Sequence, residues 1–155
     1  MKRLQYSPEA LRDLAVFLVR LTLGVVFVAH GSQKLLGLFG GAGPAATVAG
    51  MAKMGVPAFF AWIAIIAEFF GGLGVLFGVL PRTAAAGILV VMIVAVLKVH
   101  LANGFFMNWF GTQKGEGFEY HLLVMAMALF VMLGGPGRFT LIPDVEGWLL
   151  FGRKR

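Results

Sequence analysis

Apolar positions run in long unbroken stretches along this chain, with polar residues confined to brief interruptions and to the connections. Four stretches stand out, at residues 14–36, 57–80, 83–101 and 119–134. The second is about 24 residues, or roughly 36 Å of helix, enough to cross a hydrocarbon core of about 30 Å with some tilt. The fourth is shorter. Ser7-Pro8-Glu9 supplies a cap and first turn ahead of the first stretch. Pro81-Arg82-Thr83 makes a tight turn, in which proline ends one helix and Thr83 is expected to cap the next. In the glycine-rich connection 37–56, small residues over 45–54 predict a short interfacial helix. The connection 102–118 carries Phe105, Phe106, Trp109 and Phe110, and is expected to lie in the interface or fold back over the helix ends. Trp148-Leu149-Leu150-Phe151 in the tail reads as an interfacial anchor. The predicted fold is all-α: one four-helix transmembrane bundle.

Composition agrees. The chain has 155 residues, 59% hydrophobic and 13% charged, with a mean hydropathy of +0.89, values outside the soluble range. Phe27-Val28-Ala29-His30 lacks a small-residue cleavage pattern, so the first stretch is expected to remain as a helix. With no cysteine there are no disulfides and no CxxC thiol relay, and redox chemistry would need a bound cofactor or a partner. The net charge of +6 is concentrated beside apolar spans and at the ends, which indicates membrane anchoring and not nucleic-acid binding. If both termini are cytoplasmic, that side holds Lys2, Arg3, Arg12, Arg82, Arg138, Arg153, Lys154 and Arg155. The other holds Lys34, Lys53, Lys98 and Lys114, and this asymmetry predicts that arrangement in a bacterial inner membrane.

Glu68, in the middle of the second stretch, is the most costly polar residue. A carboxylate at that depth costs about 2.5 kcal/mol or more on insertion scales, so it must pair, hold its proton or face other helices. Gly71, Gly72, Gly74 and Gly78 beside it allow close helix approach, within the chain or in a homo-oligomer. At 1.5 Å per residue, His30 lies about 10 Å below the outer end of the first span, and His100 about one turn below that of the third. Glu119 and His121 open the fourth span at the same level. Lys34, Gln33, Lys98 and Asn103 fall in this layer too, above Glu68. His30, Gln33 and Lys34 share one helical face. Lys98 and His100 are about 200° apart, as are Glu119 and His121, so His100 and Glu119 are expected inside while Lys98 and His121 snorkel outward. Arg20, near the inner surface, is expected to snorkel or bind carbonyls. The methionines read as core packing. Haem ligation would rest on His30 and His100 alone. No phosphate loop, nucleophile elbow, metalloprotease motif or metal-binding pattern is present.

Five ordered motifs resemble the DoxX family of bacterial membrane proteins, related to the DoxD subunit of thiosulfate:quinone oxidoreductase. They are His30-Gly31-Ser32-Gln33-Lys34-Leu35 with Phe39-Gly40-Gly41, Glu68-Phe69-Phe70-Gly71-Gly72, Pro81-Arg82-Thr83, His100-Leu101-Ala102-Asn103-Gly104 and Glu119-Tyr120. The resemblance implies a four-helix membrane protein that is an oxidoreductase or the membrane component of a redox complex. Its motif residues here are His30, Lys34, Glu68, Arg82, His100, Asn103, Glu119 and Tyr120.

The expected function is therefore quinone binding in an outer-half polar pocket. Glu68, His30 and His100 would relay protons, while Lys34, Gln33, Asn103, Glu119 and Tyr120 would form the binding wall. A small sulfur oxyanion is the other ligand class that such a basic pocket suits. Electrons would come from a redox partner protein. A non-catalytic membrane anchor or assembly module, or a small proton-linked carrier, stands as the alternative.

Overall fold

The computed structural model describes residues 7–152, which form six helices and no strand. They are α1 (Pro8–Leu35), α2 (Gly43–Lys53), α3 (Ala58–Phe77), α4 (Pro81–Ala95), α5 (Glu119–Gly134) and α6 (Val145–Phe151). A π turn, Val96–His100, and a 3-10 turn, Leu101–Asn103, prolong α4. Helices α1, α3 and the run Pro81–Asn103 are long and apolar enough to cross a membrane, and α5 is a shorter apolar helix.

Local chemistry sets most of the boundaries. Ser7 Oγ accepts from the Ala10 amide at 3.2 Å, opening α1 as expected. α3 closes at Gly78, whose φ of 71° an L residue rarely adopts. Thr83 does not cap α4, contrary to expectation. That helix begins at Pro81, and the Glu146 carboxylate of α6 takes the Arg82 and Thr83 amides at 2.8 and 2.9 Å. A negative group at a helix N-terminus satisfies free donors and complements the dipole.

α1 packs on α3, α3 on α4 and α4 on α5, with a thinner α1–α5 contact closing the ring. Leu23, Phe27, Val75, Ile88, Met92, Val124 and Val131 fill its centre. α1 and α3 approach closely where side chains are missing. A Cβ on Gly31 would stand 2.5 Å from the Phe69 Cα, and one on Gly72 would stand 2.6 Å from the Val28 amide nitrogen. The glycines expected to admit a partner helix thus serve packing within the chain.

Arginines tie the pole that holds the α3–α4 turn. Arg20, fully buried, donates to four backbone carbonyls: Val75 and Leu76 at the end of α3, and Pro136 and Phe139 in the segment after α5. Carbonyl pairing, and not snorkelling, is therefore its role. Arg82 donates to the Met132 and Leu133 carbonyls ending α5, and pairs with Asp144 at 3.3 Å. Each guanidinium answers carbonyls that a helix C-terminus leaves unbonded. Three of the basic residues that favour inside termini also lie on this pole: Arg12, Arg82 and Arg138. Lys2, Arg3, Arg153, Lys154 and Arg155 lie outside the described residues.

Candidate functional site

The opposite half of the bundle is hollow. A cavity of about 840 Å3 opens there, walled by α1, α3, α4 with its π turn, and α5. α2 and residues Met107 and Glu116 of the following connection bound it at the pole. Most of the wall is apolar, with Met51, Met54, Phe60, Ile63, Val91 and Met92 prominent. The polar groups are His30, Lys34, Glu68, Lys98, His100, Glu116, Tyr120 and His121, with Thr47 on α2.

Lys34 reaches from the last turn of α1 to Glu68 on α3, and its ammonium meets both carboxylate oxygens at 2.5 Å. The Glu68 side chain is 3% exposed and that of Lys34 30%. Neutral overall, the pair lets a carboxylate reside in the middle of an apolar helix. An ammonium carries three donors, so one N–H of Lys34 is left for a ligand.

His100 and His121 form a second polar contact, their rings tilted by 40° with centroids 4.0 Å apart. Tyr120 stands edge-on to His121 at 5.5 Å. The His100 Nδ1 lies 2.8 Å from the Glu116 carbonyl oxygen, which can only accept; Nδ1 therefore donates, and Nε2 of the neutral ring is an acceptor. His121 is 6% exposed, and its Nδ1 has no partner among the described residues. The ring lines the cavity, while this nitrogen itself is closed off from it.

Of the eight residues singled out from the sequence, the cavity gathers five: His30, Lys34, Glu68, His100 and Tyr120. The other three hold connections in place. Gln33 donates to the Phe39 carbonyl at 3.2 Å, securing the turn after α1. Asn103 donates to the Glu116 carbonyl at 3.0 Å, and Glu119 accepts the Met107 amide at 2.9 Å. With Glu116 taking the Asn108 amide at 2.6 Å, these bonds fold residues 104–118 back over the helix ends, as their aromatic content predicts.

Of the two pairs two residues apart, Glu119/His121 is reversed and Lys98/His100 amended. Glu119 is spent on the connection, and His121 turns into the bundle instead of snorkelling. Lys98 lines the cavity alongside His100, although 200° of ideal helix would separate them. Val99 lines the cavity as well, so the chamber wraps around the helix at this point, which is the wider π turn Val96–His100. Nothing in the composition near Ala95 signals that turn. His121 could have been found by its two-residue offset from Glu119, had the capture of Glu119 by the Met107 amide been visible.

A family model for DoxX matches residues 15–101. The chain is 30% identical over 133 residues to "Inner membrane protein YqjF" of Escherichia coli (strain K12), covering 86% of this chain and 93% of that one. It is also 27% identical over 117 residues to "Putative oxidoreductase CatD" of Bacillus subtilis (strain 168), covering 76% and 78%. No solved structure matches it. With three helices built to cross a bilayer and a family model fitted over more than half its length, the chain belongs to the DoxX family, as a multi-pass protein of the bacterial inner membrane.

Proposed function

We propose that the protein is the quinone-binding membrane subunit of a redox system, with the quinone ring held in the cavity between Lys34 and the His100–His121 pair. One observation carries this reading: an apolar chamber large enough for a quinone ring has a few hydrogen-bonding side chains in its wall, Lys34, His100, Tyr120 and His121 among them. The free N–H of Lys34 would bond one quinone oxygen and His121 the other. Reduction of quinone to quinol takes up two electrons and two protons. The electrons would come from the redox centre of a partner protein, and His30 and His100 would deliver protons from the pole while Glu68 keeps Lys34 in place. The similarity to a protein named as an oxidoreductase points the same way. The pairing of Lys34 with Glu68 removes most of its pull on a free anion, so a sulfur oxyanion suits this chamber less well.

In this reading four helices cross the membrane. α5, at 16 residues or about 24 Å, spans with local thinning of the bilayer. The arginine-rich pole faces the cytoplasm and the cavity opens in the outer half.

The test is lipid extraction of the purified protein followed by mass spectrometry, with titration of a benzoquinone into wild type, Glu68→Gln, His30→Ala and His121→Phe. Retained quinone and weakened binding in the variants are expected. No retained or bound quinone, with variants that only loosen a protein complex, would favour the non-catalytic anchor or assembly role.

A further inference from the structure

α3 and α4 are joined at the arginine-rich pole and separate toward the other. Near the turn they touch: a Cβ on Gly74 would stand 2.9 Å from the Ala84 Cβ, and one on Gly71 would stand 3.4 Å from Ile88. One turn further, a Cβ on Gly87 would meet the Ala67 Cβ at 3.7 Å. Beyond that level, Ala64 and Ile63 on α3 and Val91 and Val94 on α4 line the cavity. The outer edges of this gap are exposed and wholly apolar: Phe60 57% and Ile63 46% on α3, Val90 59% and Val94 43% on α4. These residues belong to two helices that cross the membrane, so the gap opens sideways to acyl chains.

We infer that the gap between α3 and α4 is a lateral portal, through which an amphiphile dissolved in the bilayer enters head-first and leaves its apolar tail between Ile63 and Val90. This rests on the quinone reading for the head group, and adds the route and the tail. Three features argue for a membrane-borne ligand. The polar groups lie inside and the rim is apolar, so a head that moves inward exchanges lipid for hydrogen bonds while its tail stays in an apolar medium. The aqueous pole is occupied by α2 and by the folded-back connection. The open volume of about 840 Å3 exceeds the needs of a single ring, leaving room for the start of a tail.

The experiment places wild type and Val90→Trp in lipid nanodiscs and follows the binding rate of two probes: a benzoquinone with a decyl tail, and the same ring with a methyl in its place. Val90 lies on the rim, away from Lys34 and His121. For Val90→Trp the tailed probe is expected to bind about tenfold more slowly, the scale on which association rates shift among variants of one site, while the tailless ring keeps its rate. Unchanged rates for both probes would overturn the portal. Loss of both would put Val90 within the head-group site and overturn the separation of rim from head. If wild type bound neither ring, the quinone reading itself would fail. A second variant, Phe59→Trp, exposed on α3 and absent from the cavity wall, is expected to leave both rates unchanged.

Discussion

Lys34 and Glu68 lie 34 residues apart in sequence and on different helices, yet the ammonium of one is held between both carboxylate oxygens of the other. Removing only one partner leaves a charge uncompensated inside the bundle. Lys34→Met is expected to destabilise the protein by about 3 kcal/mol, the lower end for a broken buried pair because Lys34 is partly exposed. The double variant Lys34→Met/Glu68→Gln should recover most of that loss. Thermal unfolding in detergent measures both, and equal damage in single and double variants would show that the pair is not a unit.

Gly31 and Gly50 are both helical glycines with opposite surroundings. A methyl at Gly31 meets the α3 backbone at 2.5 Å, so Gly31→Ala must push the two helices apart and should cost about 1–3 kcal/mol. At Gly50 on α2 nothing lies within 4 Å, and Gly50→Ala should stabilise by roughly 0.5–1 kcal/mol through helix propensity. Melting temperatures that moved in the same direction would contradict the α1–α3 packing.

Arg20 bonds four carbonyls and, among the described residues, pairs with no carboxylate. Arg20→Lys keeps the charge but loses the planar fork, and should lower stability by about 2 kcal/mol, with Arg20→Met worse because the carbonyls remain unbonded. Yield of folded protein and its melting temperature give the order. Tolerance of methionine would remove the bonding role.

Glu146 caps α4 from a helix remote in sequence. Glu146→Ala is expected to cost about 1–2 kcal/mol, and Glu146→Gln, which retains one acceptor, about half as much. Faster hydrogen exchange at the Arg82 and Thr83 amides in Glu146→Ala would locate the effect, and unchanged exchange would exclude it.

His121 lines the proposed quinone chamber, and its Nδ1 bonds nothing among the described residues. His121→Phe should therefore melt within about 0.5 kcal/mol of wild type while losing quinone affinity by about tenfold, the loss of one hydrogen bond. Parallel loss of stability and binding would make His121 a packing residue.

Hydropathy is a property of consecutive residues, and what depends on it was legible in the sequence. The fourth apolar stretch, 119–134, matches α5 residue for residue, and Ser7 opens α1 where its side chain predicts. The collection of His30, Lys34, Glu68, His100 and Tyr120 in one half of the bundle also followed, because rise per residue fixes depth once a helix is known. Direction around the helix did not follow. Which of Glu119 and His121 faces inward depends on the Met107 amide, twelve residues away, and Lys98 and His100 both line the cavity because it wraps around the helix there. The capping of α4 by Glu146 and the neutralising of Glu68 by Lys34 likewise needed the folded chain, since pairing is decided by packing between segments whose separation in sequence carries no information about their contact.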